Sequence, residues 1–220
     1  MHAEELATRR AAMVSEQIAG RGIRDPRLLQ AMRDVPRHEF LPESSWAHAY
    51  DDRPLSIGED QTISQPYMVA AMTEPLACGP EDRVLDVGTG SGYQAAVLAR
   101  LVRNVVSIEC RPHLAARARA ILVRLGVANV IVLDGDGGDG APVFSPYDAI
   151  LVAAGAPAVP PSLVAQLGDR GRIVIPVGTA SLQRLTLLRR TGKCMSEETR
   201  EGCVFVPLVG RYGWGHSAVK

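Results

Sequence analysis

The stretch "RVLDVGTGSGYQAAVLAR", Arg83 to Arg100, decides the fold. It opens on a short apolar run, "RVLDVG", that reads as a buried strand. It then turns on glycines at 88, 90 and 92 and continues as the helical pattern "SGYQAAVLARLV". An open parallel α/β sheet binds its ligands at such a loop, outside the carboxyl end of a strand. Glycine there lets the backbone approach a ligand closely. Asp86, two residues before Gly88, adds a carboxylate to the same place, and the ligand has to tolerate it.

The pattern repeats outward from this unit. "NVVSIE", "NVIVLDGD", "YDAILVAAG" and "RIVIPVG" read as strands, and "RPHLAARARAILVRLG" and "PPSLVAQLGDRG" as helices. Short apolar runs separated by helices predict a mostly parallel sheet covered on both faces. "LQRLTLLRR" and "CVFVPLVGRY" read as a closing antiparallel pair, since no helical pattern separates them. Ahead of the sheet, "AEELATRRAAMVSEQIAGRG" reads as an amphipathic helix ended by glycines. "DPRLLQAMRDVP" reads as a second helix, with Asp25 as N-cap and Pro26 at its first position. The run from Arg37 to Pro66 has little periodicity and reads as a long, ordered irregular segment; "YMVAAMTEPLA" after it is helical. The expected organisation is one domain over 1–220, with 1–78 carrying the N-terminal helices and active-site segment and 79–220 a Rossmann-like core.

Two ligand classes compete for the glycine loop. The dinucleotide spacing G-x-G-x-x-G puts its third glycine at position 93, which is Tyr93, a side chain that would obstruct close helix–strand packing. Asp86 would also oppose a pyrophosphate. A carboxylate there suits S-adenosylmethionine, whose methionine end is cationic. Glu109, closing "NVVSIE", is placed for ribose hydroxyls, which both ligands carry, and Asp136 in "LDGDGGDG" for an adenine amino group. Asp134 and Asp139 read as turn residues. The fold class is therefore an α/β, doubly wound, mostly parallel sheet of the S-adenosylmethionine-dependent methyltransferase type, with a helical N-terminal extension and antiparallel C-terminal strands.

Composition narrows the partners. Lys plus Arg and Asp plus Glu number 24 each, so the formal net charge is zero and nothing marks a nucleic-acid binder. Cys78, Cys110, Cys194 and Cys203 form no zinc-ligand spacing, so no metal is expected. The apolar runs are too short to span a bilayer and the N-terminus lacks a signal-peptide core, so the expectation is a cytoplasmic chain with free thiols.

The sequence lacks a G-x-S-x-G elbow, and its histidines (His2, His38, His48, His113 and His216) suggest structural or surface roles. Methyl transfer to a carboxylate needs no base, because the acceptor is already ionised at neutral pH. Alignment and removal of water suffice, with a hydroxyl or N–H to hold the acceptor.

"DDRPLSIGEDQTISQPYMVAAMTEPL", "VLDVGTGSGYQAAVLA", "GDGGDG", "YDAILVAAGAP" and "GRIVIPVG" resemble the protein-L-isoaspartate O-methyltransferase family over nearly the whole chain. "QTISQPYMVA" upstream of the glycine loop is the more specific part. The resemblance implies methyl transfer from S-adenosylmethionine, with S-adenosyl-L-homocysteine as product, to the free α-carboxyl of L-isoaspartyl residues. The ester re-forms a succinimide, which repairs age-damaged proteins. It implies Ser64 as the active-site serine, donating a hydrogen bond to the acceptor carboxylate; the plainer reading of Ser64 is a cap for the helix at Pro66. It implies Ile63, Asp86, Gly88, Gly90, Gly92, Glu109, Asp136 and Gly137 around the cofactor. It also implies a permuted order of the last strands, with isoaspartyl proteins and peptides as partners. The expectation is a monomer, and charge and hydropathy point to neither nucleic acid nor membrane as a partner.

Two departures stand out. The family pattern I-G-x-G-Q-T-I-S reads "IGEDQTIS" here, so Asp60 replaces a glycine. That motivates an alternative, a related methyltransferase acting on another peptide or small-molecule carboxylate. "GDGGDG" has Gly and Asp where bulkier residues are usual, which suggests a looser cofactor pocket. A third reading, a cofactor-binding module without catalysis, is disfavoured by Ser64 and the acids at successive strand ends.

Overall fold

The structure is a computed structural model, described over residues 2–214. The N-terminal extension begins with α1 (Ala3–Ala12), which continues through a widened turn over Met13–Ile18 that buries Met13, Val14 and Ile18. It ends at Gly22, whose φ of 103° needs no Cβ. Helix α2 (Pro26–Asp34) starts as its sequence dictates: the Asp25 carboxylate accepts from the N–H groups of Arg27 and Leu28, and Pro26 is the first helical residue. Leu28, Ala31 and Met32 form its buried stripe.

The segment after α2 is more regular than its sequence suggests. Short 3-10 turns span Arg37–Phe40 and Glu43–His48. A hairpin of β1 (Leu55–Gly58) and β2 (Gln61–Ile63) follows, and its two-residue turn holds Glu59 and Asp60 at φ 52° and 56°. Asp60 thus occupies the left-handed conformation that a glycine would take, and the turn survives the departure. Buried Arg37 ties this segment to the core. It donates from Nε to the Ala49 carbonyl at 2.8 Å and lies 5.0 Å from the Tyr93 ring centroid. His38 bonds the Tyr50 hydroxyl, His48 pairs with Asp51, and His113 is exposed; His216 lies outside the described residues.

Helix α3 (Pro66–Thr73) leads to the sheet. Strand β3 (Arg83–Val87), α4 (Tyr93–Ala99), β4 (Asn104–Glu109), α5 (Pro112–Arg124), β5 (Val130–Asp134), β6 (Tyr147–Val152) and the short α6 (Pro161–Ala165) follow. Three long strands close the chain: β7 (Leu167–Gly178), β8 (Gln183–Thr191) and β9 (Cys194–Cys203). The seven-stranded sheet has the order β5-β4-β3-β6-β7-β8-β9, parallel through β7 and antiparallel after it. Strands β3 to β5 run one way across the sheet and β6 onward the other, so the switch point lies between β3 and β6.

Alternating residues feed two cores. On one face Val84, Val105, Ala149 and Val174 pack with the N-terminal helices, α3 and α4. On the other, Leu85, Val87, Ile108 and Ile150 pack with Leu163 of α6 and Leu208. Among the described residues no helix is long and apolar enough to cross a membrane, and no cluster of His, Cys, Asp and Glu can hold a metal.

Two sequence expectations are corrected. The last strand is β9, "CMSEETREGC", not "CVFVPLVGRY"; an edge strand exposed on both faces lacks the apolar alternation that reveals strands. After Cys203 the chain runs irregularly and touches the sheet only through isolated bridges such as Gly155–Pro207. The helix expected over "PPSLVAQLGDRG" stops at Ala165, and its second half begins β7 through a bulge against β6.

Candidate functional site

The glycine loop fits its place because glycine alone takes its backbone angles at low cost. Gly88, Gly90 and Gly92 have φ of 93°, 52° and 88°. The N–H groups of Gly88 and Thr89 both donate to the Ile108 carbonyl, at 2.9 and 3.1 Å. The Gly90 N–H donates to Glu109 Oε2 at 2.8 Å, so the second strand's terminal acid holds the loop. Gly92 starts α4, where a Cβ would come within 3.3 Å of Ala118.

A cavity of about 780 Å³, counting its open mouth, lies over this loop at the switch point. Of the residues singled out in the sequence, Ile63, Ser64, Gly88, Gly90, Glu109 and Gly137 line it. Glu109 has one oxygen on the Gly90 N–H and the other on the Arg111 N–H at 3.0 Å. Oε1 also accepts from the Cys110 thiol at 3.6 Å, whereas Oε2 keeps a lone pair for a further donor such as a hydroxyl.

Asp86, Gly92 and Asp136 do not line the cavity. Asp86 has no accessible surface; its Oδ2 accepts from the Ser107 hydroxyl at 2.7 Å, and Ser107 bonds Thr89 at 2.6 Å. Asp86 thus sits behind the loop and braces it through Ser107 and Thr89. Burial pushes its carboxyl up to about 7, against the pull of the Ser107 hydrogen bond, and the nearby Glu109 adds to the rise. Its Oδ1 has no partner among the described residues. Asp136 accepts from the N–H groups of Gly138 and Arg211, both at 2.8 Å, and so ties the "GDGGDG" loop to the C-terminal segment. That loop is tight rather than loose: a Cβ on Gly137 would meet Val87 Cγ1 at 2.4 Å, and one on Gly140 would meet Gln166 at 2.5 Å.

A second cavity, of about 970 Å³, adjoins the first. Thr62, Ser64, Ala153 and Val206 belong to both. Ser64 is half-buried at this junction, and its hydroxyl makes no hydrogen bond among the described residues. It does not cap α3. The N-cap of α3 is Gln65, without a side-chain bond, and Asp52 Oδ1 instead accepts from the Tyr67 N–H at 3.1 Å. Asp60, at the hairpin tip, lines neither cavity.

Sequence reasoning did not find several lining residues. Ala153 and Ala154 follow β6 beside the switch point, and their small size in "LVAAGAP" was the available signal. Val206 to Val209 come from the segment misread as a strand. Thr89, Ser91 and Cys110 lay in plain view beside expected residues.

The comparisons with known proteins agree over nearly the whole length. The family model described as protein-L-isoaspartate(D-aspartate) O-methyltransferase matches residues 8–213. The chain is 57% identical over 205 residues to a Methanoregula boonei protein named protein-L-isoaspartate O-methyltransferase, covering 93% of this chain and 94% of that one. A Methanoculleus marisnigri protein of the same name is 51% identical over 215 residues, covering 97% of each. A solved structure of a protein-L-isoaspartate O-methyltransferase superposes with a TM-score of 0.81 at 31% identity, covering 92% of this chain and 66% of that longer one. A Plasmodium falciparum structure, described as a protein-L-isoaspartate O-methyltransferase in complex with S-adenosyl-L-homocysteine, gives 0.79 at 25%, covering 91% and 98%.

Proposed function

Because the chain belongs to the protein-L-isoaspartate(D-aspartate) O-methyltransferase family, we propose that it methylates the free α-carboxyl of L-isoaspartyl residues with S-adenosylmethionine, and so repairs aged proteins. The methyl ester then re-forms a succinimide, which opens partly to normal aspartate.

One observation carries the reading: Ser64, with a free hydroxyl, forms part of the wall common to two adjoining cavities. The first cavity fits the cofactor by its chemistry. It offers Glu109 to ribose hydroxyls and a glycine backbone that can approach closely. Behind it lies the unpartnered Oδ1 of buried Asp86, whose raised carboxyl a cationic ligand would favour in the ionised form. Ile63, Gly88, Gly90, Glu109 and Gly137 would hold it directly, with Asp86, Gly92 and Asp136 supporting them. When bound, S-adenosylmethionine supplies a methyl group activated by its sulfonium.

The chain's own task is alignment. Ser64 holds the acceptor carboxylate by donating its hydroxyl hydrogen, and neither group gives up a proton. The acceptor ionises well below neutral pH, so the absence of a histidine among the lining residues fits. Burying the carboxylate between the cavities strips water from it and raises its reactivity. Asp60 lies outside both cavities, which removes the motive for a different acceptor. The free cysteines suit a cytoplasmic setting.

Paired peptides differing only in isoaspartate against aspartate test this. Methyl ester should form on the first alone; equal rates on both would overturn the substrate assignment.

A further inference from the structure

The wall of the second cavity carries one charged side chain of each sign among its described residues. Among its lining residues Arg21 is the only cation and Glu201 the only anion. Arg21 packs on Tyr67, which also lines the cavity, and Glu201 leads into the lining run Gly202–Phe205. The two come from opposite ends of the chain, one from the N-terminal extension and one from β9.

Arg21 is held in place. Its guanidinium carbon lies 3.4 Å from the Tyr67 ring centroid, and its Nη1 donates to Asp52 Oδ2 at 2.6 Å. Asp52 is fixed in turn by the Tyr67 N–H on its other oxygen. A guanidinium carries five N–H donors, so one bond to Asp52 leaves most of them free, and 45% of the side chain is still accessible. Glu201 is exposed and makes no ion pair or hydrogen bond among the described residues. Ser64 lines the same cavity as both charges, so residues flanking an acceptor carboxylate seated there would share that cavity with them.

Resting on the methyltransferase reading above, we propose that Arg21 and Glu201 are specificity-determining residues, which select isoaspartyl peptides by the charges flanking the damaged residue. An acidic neighbour is favoured at Arg21 and a basic neighbour at Glu201. Opposed charges of this kind act mainly on encounter and register, so the effect falls on KM rather than on kcat.

The test compares three isoaspartyl peptides: neutral flanks, acid before and base after the isoaspartate, and the reverse order. At low salt one charged order should exceed the other about threefold or more in kcat/KM, through KM, and the ratio should shrink toward one in about 0.5 M salt. Arg21→Gln and Glu201→Gln should each reduce the ratio. Glu201→Lys makes both charged lining residues cationic, so a peptide with acids on both flanks should become the preferred substrate. Glu201 is an exposed edge-strand residue, and this variant tests the proposal even if Arg21→Gln fails to fold. Equal rates for the two orders in the wild type, with the neutral peptide methylated, would overturn this proposal alone. So would a uniform loss on every peptide in both glutamine variants. Failure to methylate the neutral isoaspartyl peptide would overturn the parent reading and this proposal with it.

Discussion

Ser64 and Asp86 carry the sharpest consequences of single side chains. Ser64 makes no structural hydrogen bond among the described residues, so its removal should leave the fold intact and affect transfer. A charge-assisted hydrogen bond is worth about 1.5–3 kcal/mol, so Ser64→Ala should lower kcat/KM about ten- to a hundredfold. Calorimetry should show adenosylhomocysteine affinity changed by less than about threefold; a collapse of that affinity would make the role structural. Asp86 has a carboxyl pushed up to about 7, whereas an unfolded aspartate ionises near 3.9. Between those values the unfolded chain has lost a proton that the folded chain keeps. Stability therefore falls as pH rises through the window and levels off above about 7. In denaturant unfolding of the ligand-free protein, Asp86→Asn should gain on the wild type by about 2 kcal/mol between about pH 5 and about pH 7. A difference independent of pH would contradict the buried, raised carboxyl.

The hairpin of β1 and β2 delivers Ile63 and Ser64 to the site, and its turn is strained. Glu59 and Asp60 both have positive φ, where a residue with a Cβ costs about 1–2 kcal/mol and aspartate somewhat less. Asp60→Gly should stabilise the protein by up to about 1 kcal/mol, a rise of roughly 2–4 °C in Tm by scanning calorimetry. An unchanged or lowered Tm would mean that another contact holds Asp60. The hairpin was hard to read from the sequence because its strands span only four and three residues and its turn lacks the usual glycine or asparagine. The sheet strands were easy. "RVLDV" and "NVVSIE" are buried on both faces and read as continuous apolar runs, and Asp25–Pro26 announced α2 by capping chemistry. Strand β9 hid because an exposed edge is polar throughout, and the apolar segment after it took its place in the reading.

At the scale of the molecule, the sheet's switch point sets one cavity over the glycine loop, and segments from both ends of the chain build a second beside it. Glu109 and the glycines were legible as site residues because they occur in register with strand ends. The support roles of Asp86 and Asp136 were not, because the direction of a side chain behind a loop depends on partners such as Ser107 and Arg211 that are distant in sequence. The junction at Ser64 was legible only through resemblance, since nothing in local pattern brings residue 64 beside residues 153 and 206. Two adjoining cavities that share Ser64 imply that donor and acceptor bind together. The direct measurement is calorimetric titration of an isoaspartyl peptide into protein saturated with adenosylhomocysteine. One peptide should bind per chain, with affinity equal to or above that for the free protein; competition between peptide and adenosylhomocysteine would contradict the two-cavity account.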